Sequence, residues 1–133
     1  MPLRIVRLGS PRATGEGTRI GTVRRPPRGV PKAEFASRDF YDVWYPLLAP
    51  TQELMTQGQQ VTSGHEGDKD WQAFVKQFRK QLAEPEASRT LDLLAALSHH
   101  SAMSVGCYCE DEARCHRSVL RFELLARGAS VRA

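Results

Sequence analysis

The sequence predicts an α/β fold, that is, a single compact domain in which helices cover a small, mainly parallel sheet. Two observations indicate it. Short β-prone segments at the amino terminus and near residue 105 are separated by a long helical region, and a further helix follows the last of them. Because parallel strands need long crossover connections, this order favours parallel pairing. We expect residues 1–133 to form one domain, with loops at residues 9–18 and 58–67 and a tail at residues 129–133.

The first quarter of the chain predicts two strands and a stiff basic loop. Leu3–Leu8 alternates in the manner of a strand, and Arg19–Val23 is the second predicted strand. Arg24–Lys32 then contains three prolines and a glycine, which exclude regular structure. Since proline restricts the backbone, the basic side chains of this loop are held near fixed positions, and an anion site there is easier to form.

The middle of the chain predicts helices. Aromatic residues within residues 37–45 have the spacing of one face of a short helix, and Thr51–Gln57 suits a helical turn or two. The clearest helix is Asp68–Ala83, whose apolar residues recur with helical periodicity. A second helix is predicted at Glu86–Ser98. The periodic stripe of the first helix is interpreted as core and consists of Trp71, Phe74, Val75, Phe78 and Leu82.

The last third of the chain predicts a buried strand at Ala102–Cys109 and a helix at Cys115–Arg127, joined by a short acidic loop. In open parallel sheets, ligands bind beyond the carboxyl ends of the strands. The segments Leu8–Thr18, Arg24–Lys32 and Cys109–Arg114 each follow a predicted strand. We therefore expect one edge of the sheet to bring these three loops together around a ligand.

Composition and charge narrow the class of protein. Hydrophobic residues make up 41% and charged residues 26% of the chain, as in ordinary soluble proteins, and no apolar run approaches the roughly 20 residues that span a membrane. We therefore expect a cytoplasmic protein with no membrane partner. The first 33 residues hold eight basic residues and one acidic residue. This excess indicates an anionic small molecule, a nucleotide or a nucleic acid as partner, although an arginine-rich solvated surface has the same composition.

All three cysteines lie within nine residues, and the first hypothesis for them is a reactive thiol. Cys115 falls at or just inside a predicted helix amino terminus, with His116 and Arg117 after it and Arg114 before it. A helix amino terminus and nearby cations favour the thiolate, which is the nucleophilic form of cysteine. Cys109 is the second candidate nucleophile, and the acidic loop between the two opposes the shift toward thiolate.

The same segment also suits a metal site or a buried core. It supplies four ligands of the kind that zinc prefers, although in a spacing that matches known zinc modules weakly: Cys107, Cys109, Cys115 and His116. Zinc is therefore an alternative cofactor, and no other cofactor is predicted. In a third interpretation, Cys107 and Cys109 are small apolar residues of a buried strand, where free cysteine is common. For Cys107 alone this third interpretation is favoured.

Several segments, in this order, give the chain a family resemblance. They are Arg24–Lys32, Asp42–Leu54, the helix with Trp71, Phe74 and Phe78, and the element formed by Cys109 with Cys115-His116-Arg117. On these motifs the chain resembles the bacterial domain-of-unknown-function 488 (DUF488) family, of which the YeaO-like proteins are one branch. The resemblance extends from Leu3 to Gly128 and implies a compact intracellular α/β domain without a settled activity.

The resemblance also implies which residues to carry over and where the chain departs from the family. Six residues match the family pattern and form a candidate site: Arg28, Lys32, Cys109, Cys115, His116 and Arg117. Members typically carry tryptophan where this chain has Pro26, and an acidic residue where it has Val23. If that acid and that tryptophan are needed for catalysis, this protein is a divergent or non-catalytic member.

The sequence thus predicts an anion-binding pocket built from two loops. The first loop contributes Arg24, Arg25, Arg28 and Lys32, and the second contributes Cys109, Arg114, Cys115, His116 and Arg117. In an enzyme, Cys115 or Cys109 would be the thiolate and His116 the proton carrier. Arg28 or Arg117 would bind the oxyanion. The alternative is a non-catalytic module that binds nucleic acid or protein through the basic amino-terminal region.

Overall fold

The computed structural model describes residues 3–56, 68–109 and 115–132. The strands in these segments are β1 (Leu3–Arg7), β2 (Thr18–Gly21), β3 (Val43–Trp44) and β4 (Met103–Cys107). The long helices are α1 (Asp68–Leu82), α2 (Pro85–Leu97) and α3 (His116–Ala126). Short 3-10 turns occupy Lys32–Glu34 and Pro46–Leu48, and residues 52–56 are helical. The predicted loop at residues 58–67 lies outside the described segments.

All neighbouring strands of the sheet are parallel, in the order β1-β4-β2-β3. β4 lies between β1 and β2, so that Leu3 and Thr18 are both paired with Met103. The predicted α/β fold, with a parallel sheet and covering helices, is confirmed. The ends of β1, β2, β4 and the three long helices lie within two residues of their predicted positions. Because the strands are parallel, their carboxyl ends meet at one edge of the sheet, next to Cys107.

The central position of β4 follows from its small, apolar residues. All five of its residues are buried, as predicted. Gly106 is needed there, since a Cβ atom on it would lie 2.5 Å from the carbonyl oxygen of Val6 on β1. Any side chain at this position would push the two strands apart, which is why a glycine marks the close approach.

Two hydrophobic clusters support this sheet. The larger cluster lies between the helices and the sheet, and its most buried side chains include Phe78, Leu82, Leu91, Leu120 and Leu124. The stripe predicted on α1 is core, with Phe74, Phe78 and Leu82 buried and Trp71 and Val75 packed against them. The smaller cluster lies at the strand ends and consists of Leu8, Val23, Tyr41, Cys107 and Cys115. Two of the three cysteines therefore belong to the packed base of the strand-end edge.

The predicted helix at residues 37–45 is wrong. The chain turns at Asp39, whose φ of 62° lies in the left-handed region, and then enters the edge strand β3. β3 pairs with β2 through Val43 and Ile20. Asp42 secures the start of this strand, because its Oδ2 accepts a hydrogen bond of 2.8 Å from the backbone N–H of Arg19. Pairing with the sheet therefore overrides the helical spacing of the aromatic residues.

The basic amino-terminal region is part of the sheet rather than a separate arm. Arg19 on β2 is 0% exposed, and its Nε donates to Oε2 of Glu16 at 2.7 Å. Arg12 donates to both carboxylate oxygens of Asp42, at 2.8 and 3.0 Å. Two of the eight basic residues are therefore engaged in internal ion pairs. Nucleic-acid binding through this region stays a prediction.

The carboxyl-terminal residues are tied to the outer edge of β1. The backbone N–H of Leu3 donates to the carbonyl of Ser130 at 2.6 Å, and the N–H of Arg132 donates to the carbonyl of Leu3 at 2.8 Å. Within the predicted tail, these residues therefore add one parallel bridge to the sheet, between Val131 and Leu3. Among the described helices, none has the length and apolar character that crossing a membrane requires.

Candidate functional site

A cleft with a volume of about 710 Å³ opens beyond the carboxyl ends of β2 and β4. Three segments of the chain meet there: Val23–Arg28 after β2, Cys107–Cys109 at the end of β4, and Cys115 with His116 at the start of α3. Its other lining residues are mostly apolar or aromatic: Phe40, Pro50, Gln52, Met55, Trp71 and Phe74. This is the edge at which parallel sheets bind ligands.

The two loops of the predicted site converge on this cleft. It is lined jointly by Arg24, Arg25, Arg28, Cys109, Cys115 and His116. Lys32 is exposed in its 3-10 turn and is not among the lining residues. Arg114 lies outside the described residues, and no part of the predicted loop at residues 9–18 lines the cleft.

Three free cysteines form a cluster at the cleft. Their sulfur atoms all lie within 4.8 Å of one another, and the Sγ atoms of Cys107 and Cys115 are 2.7 Å apart. Cys107 and Cys115 are 1% and 2% exposed, whereas Cys109 is exposed. Cys109 is therefore the thiol of this cluster that solvent and a bound molecule reach.

The cluster favours a single thiolate, on Cys109. The neighbouring thiols of Cys107 and Cys115 lower the pKa of Cys109 well below its usual range, and the charge of Arg117 adds to the shift, although burial opposes it. The hydrogen bond with Cys109 raises the pKa of Cys107. For Cys115, contact with Cys107 lowers the pKa, but contact with Cys109 and burial outweigh it and raise the pKa to about 11. The two buried thiols therefore stay neutral beside the thiolate.

His116 is buried beside this cluster in a defined tautomer. Its Nε2 lies 2.7 Å from the carbonyl oxygen of Thr22, and since a carbonyl only accepts, Nε2 carries the proton. Burial lowers the pKa of His116, which keeps the ring neutral near pH 7. The lone pair of Nδ1 is then directed toward Cys115, whose Sγ lies 3.8 Å away.

Cys115 and Arg117 connect the start of α3 to the cysteine cluster. Cys115 is the residue before the first helical turn, with extended backbone angles, as the sequence predicts. Arg117 is 4% exposed, and its guanidinium donates to the carbonyl oxygen of Cys109 at 2.6 Å. This bond fixes the end of the β4 segment and places a positive charge behind the exposed thiol.

The arginines of the first loop differ in their engagement. Arg24 donates to the carbonyl oxygens of Pro46, Ala49 and Pro50, so that it anchors the loop to the neighbouring turn. Arg25 is exposed, and two nitrogens of its guanidinium donate to the side-chain oxygen of Gln52 at 3.2–3.3 Å. Arg28 is exposed at the rim. Among the described residues that line the cleft, the exposed positive charges are therefore those of Arg25 and Arg28.

The aromatic residues that line one side of the cleft were not predicted from the sequence as part of the site. Tyr108 donates its hydroxyl to the carbonyl oxygen of Arg25 at 2.9 Å and so joins the two loops. Trp71 and Phe74, predicted as core, stack with ring centroids 5.2 Å apart, and both line the cleft. Trp71 and Phe74 belong to the family resemblance, but aromatic side chains at helical spacing are ordinary core residues, so the pattern does not indicate a cleft.

The cluster also has the donor atoms for a metal ion. Cys107, Cys109 and Cys115 each offer one sulfur ligand within the same 4.8 Å group. Thiolate sulfur suits soft and borderline ions such as zinc. His116, the predicted fourth ligand, is not a member of that group, and its Nε2 is engaged by the carbonyl of Thr22.

A family model matches nearly the whole chain. The model is DUF488-N3a, described as the active DUF488-N3 subclade, and it covers residues 3–128. No curated protein and no solved structure matches the chain. The match covers the same extent as the predicted resemblance, which is therefore confirmed at the level of the family. Placement in the YeaO-like branch stays a prediction.

Proposed function

The chain belongs to the DUF488 family, and we propose that it is a thiol-dependent enzyme that acts on an anionic, phosphate- or nucleotide-like substrate. One observation carries the proposal: the exposed thiol at the cleft, Cys109, has its sulfur within 4.8 Å of two buried thiols, and these surroundings lower its pKa and favour the thiolate. Thiolates with depressed pKa values in partly exposed, electropositive surroundings are characteristic of catalytic cysteines.

In this proposal Cys109 is the nucleophile and Cys115 is not. The sequence left the two cysteines as alternatives, but Cys115 is 2% exposed and its pKa is raised to about 11 by the contacts and burial described above. Cys109 combines access to the cleft with the thiolate form. Its sulfur would bond to the electrophilic atom of the substrate, and the leaving group would depart with the bonding electron pair.

Arg25 and Arg28 would bind the anionic group of the substrate. Both are exposed at the cleft, and guanidinium groups form bidentate hydrogen bonds with phosphate and carboxylate oxygens. Trp71 and Tyr108 offer aromatic surfaces for a ring of the ligand. The volume of about 710 Å³ falls within the range of roughly 300–1,000 Å³ that small-molecule sites occupy.

The departures from the family pattern do not enter this mechanism. Val23 replaces the usual acidic residue; it is 4% exposed, and its carbonyl accepts the indole N–H of Trp44 at 2.8 Å. Pro26 replaces the usual tryptophan, and Trp71 offers an aromatic surface at the same cleft. The matched subclade is described as active, which supports a catalytic role.

Protection of Cys109 from alkylation tests the proposal. Iodoacetamide should label Cys109 of the folded protein, and adenosine monophosphate or inorganic phosphate should slow that labelling. Arg28→Gln should weaken the protection about tenfold, because one charge-assisted pair with the anion is lost. Lys32→Gln, in the same loop but outside the cleft, is the matched control and should leave protection unchanged. Labelling only after unfolding, or equal effects of both variants, would refute the proposal.

Zinc binding is the second candidate function of the cluster, and the grouping of three sulfur atoms within 4.8 Å favours it. A zinc ion held by Cys107, Cys109 and Cys115 would stabilise the fold and occupy the thiolate that the enzyme needs. Elemental analysis of purified protein separates the two candidates. About one zinc per chain, with Cys109 alkylated only after chelation, supports the metal site; metal-free folded protein with reactive Cys109 excludes it.

A further inference from the structure

We infer that the cysteine cluster has a second activity: a hydroperoxide oxidises Cys109, and Cys115 then captures the oxidised sulfur as a Cys109–Cys115 disulfide. This chemistry uses the same thiol as the proposed function but needs no anionic substrate. Three features carry the inference. They are the unequal exposure of the two thiols, the short distance between their sulfur atoms, and the position of the His116 ring.

Oxidation begins at Cys109 because this sulfur is open to the cleft. Cys109 is exposed and lines the cleft, whereas Cys115 is 2% exposed and lies in the packed cluster with Cys107. Accessible thiols next to a second cysteine are the ones that peroxides oxidise reversibly. A sulfenic acid formed at Cys109 would therefore have a neighbouring thiol within reach before further oxidation.

Cys115 is placed to attack that sulfenic acid. The Sγ atoms of the two residues lie within 4.8 Å of each other, whereas a disulfide bond measures about 2 Å, so each side chain must move only slightly. Cys115 precedes the first turn of α3, and Cys109 follows the end of β4. Since neither residue lies inside a helix or strand, the movement does not break a regular element.

Cys107 is held too firmly to take this role. It ends the central strand β4, where it pairs with Arg7 of β1, and its carbonyl accepts the N–H of Leu8 at 2.7 Å. It also lies two residues from Cys109, so a disulfide between them would close a small ring far from the preferred geometry. Cys107 therefore packs beneath the pair, in contact with Cys115.

His116 supplies the base for the second step. Its Nε2 proton is held by the carbonyl of Thr22, a residue that is 0% exposed, so the Nδ1 lone pair stays directed toward Sγ of Cys115 at 3.8 Å. Nδ1 can accept the thiol proton as the sulfur attacks. The same imidazole then returns the proton to the departing hydroxide.

The two steps balance. The Cys109 thiolate attacks one oxygen of the peroxide, the O–O bond breaks, and Cys109 becomes a sulfenic acid. The departing oxygen takes a proton from solvent and leaves as an alcohol, or as water when the oxidant is hydrogen peroxide. The Cys115 sulfur then attacks the sulfenic sulfur, the S–O bond breaks, and hydroxide leaves with the proton carried by His116 as water. Two thiols have been oxidised and one peroxide reduced.

Mass spectrometry after a stoichiometric pulse of hydrogen peroxide tests the inference, with dimedone present to trap sulfenic acid. The folded wild-type protein should lose two hydrogen atoms and take up little dimedone. Trypsin should then release the segment carrying Cys109 linked to the short peptide that begins at Cys115, since an arginine precedes that residue. In Cys107→Ser the same linkage should persist, which assigns the bond to Cys109 rather than to Cys107.

Replacing Cys115, the thiol that captures the sulfenic acid, gives the decisive experiment. In Cys115→Ala, which suits the buried apolar site better than serine, dimedone labelling of Cys109 should rise at least about tenfold because no thiol captures the sulfenic acid. An equal disulfide yield in this variant, or its loss in Cys107→Ser, would overturn the inference. So would heavy dimedone labelling of the wild type. Iodoacetamide protection by phosphate is scored separately in the reduced wild-type protein, so the proposed function can stand while this inference falls.

Discussion

Two clusters of ionisable side chains lie against β4, and they differ in whether one of their members is exposed to solvent. In one, Glu16 accepts both Nε and a terminal nitrogen of Arg19, at 2.7 and 2.9 Å, and also the hydroxyl of Ser104 at 2.8 Å. In the other, the buried thiols of Cys107 and Cys115 lie within 4.8 Å of the sulfur of Cys109, which is exposed at a cleft. The first cluster is closed to solvent, and the second is open.

The difference lies in what balances the negative charge. The carboxylate of Glu16 faces a full positive charge and four donors, the fourth being the backbone N–H of Ala13, and Arg19 also donates to the carbonyl oxygens of Ser10 and Asp39. This pairing joins the loops around β2 but leaves no group for chemistry. The sulfur of Cys109 has two neutral thiols as its neighbours and stays accessible. A buried polar cluster can therefore serve the fold or a reaction, depending on whether one member remains open.

Breaking the closed cluster should have the largest effect on stability. Arg19→Met leaves the carboxylate of Glu16 buried without its cation, and such losses destabilise proteins by about 3–5 kcal/mol. The free energy of unfolding, measured by urea denaturation, should fall by that amount. Arg28→Met is the matched control, since Arg28 is exposed, and should change it by less than about 0.5 kcal/mol. Equal effects of the two variants would contradict the structural role of the ion pair.

The closed cluster should also make stability depend on acid. Burial opposes it, but hydrogen bonds from Arg19 and Ser104 lower the pKa of Glu16 to about 2. A carboxyl whose folded pKa is depressed stabilises the fold above its unfolded pKa, so this contribution is full above about pH 5 and is lost as the pH falls toward 2. The loss should reach about 3 kcal/mol. Unfolding curves at several pH values should show it, and Glu16→Gln should remove this part of the slope.

Substitution of Cys109, the exposed member of the open cluster, should have the smallest effect on the free energy of unfolding. Cys109→Ser should lower the free energy of unfolding at neutral pH by less than about 2 kcal/mol, because the side chain is exposed and only the stabilisation of its thiolate is lost. The same substitution should abolish alkylation of the folded protein. A loss of more than about 2 kcal/mol would mean that Cys109 is structural, and the contrast between the clusters would not hold.

The fold was largely predictable because most of its elements are indicated by local residue patterns or by the lengths of the connections between strands. The periodicity of Asp68–Leu82 and the small apolar residues of Met103–Cys107 predicted a helix and a buried central strand. The long connection between β2 and β4 predicted parallel pairing. β3 was not predictable in the same way, since its two residues are a strand only through pairing with β2 and the hydrogen bond to Asp42.

The location of the candidate site was predictable from the sequence, but the role of each residue in it was not. Loop order brought Arg28 and Cys109 to one edge, as the parallel topology requires. The division of labour between Cys109 and Cys115 depends on burial and on sulfur contacts between segments, which spacing along the chain does not encode. For the same reason the anchoring of Arg24 to three carbonyls and the link from Tyr108 to Arg25 appear only in the structure.

The pH dependence of Cys109 alkylation tests the central claim most directly, namely that the cluster holds this thiol as a thiolate. The rate of iodoacetamide labelling, resolved by peptide mass spectrometry, is measured from about pH 5 to about pH 9, with denatured protein as the reference. Since contacts with Cys107 and Cys115 lower the pKa of Cys109 well below its usual range, the folded protein should react at a nearly constant rate across this range. A rate that rises about tenfold per pH unit toward about pH 8.5, as for an ordinary thiol, would contradict the account.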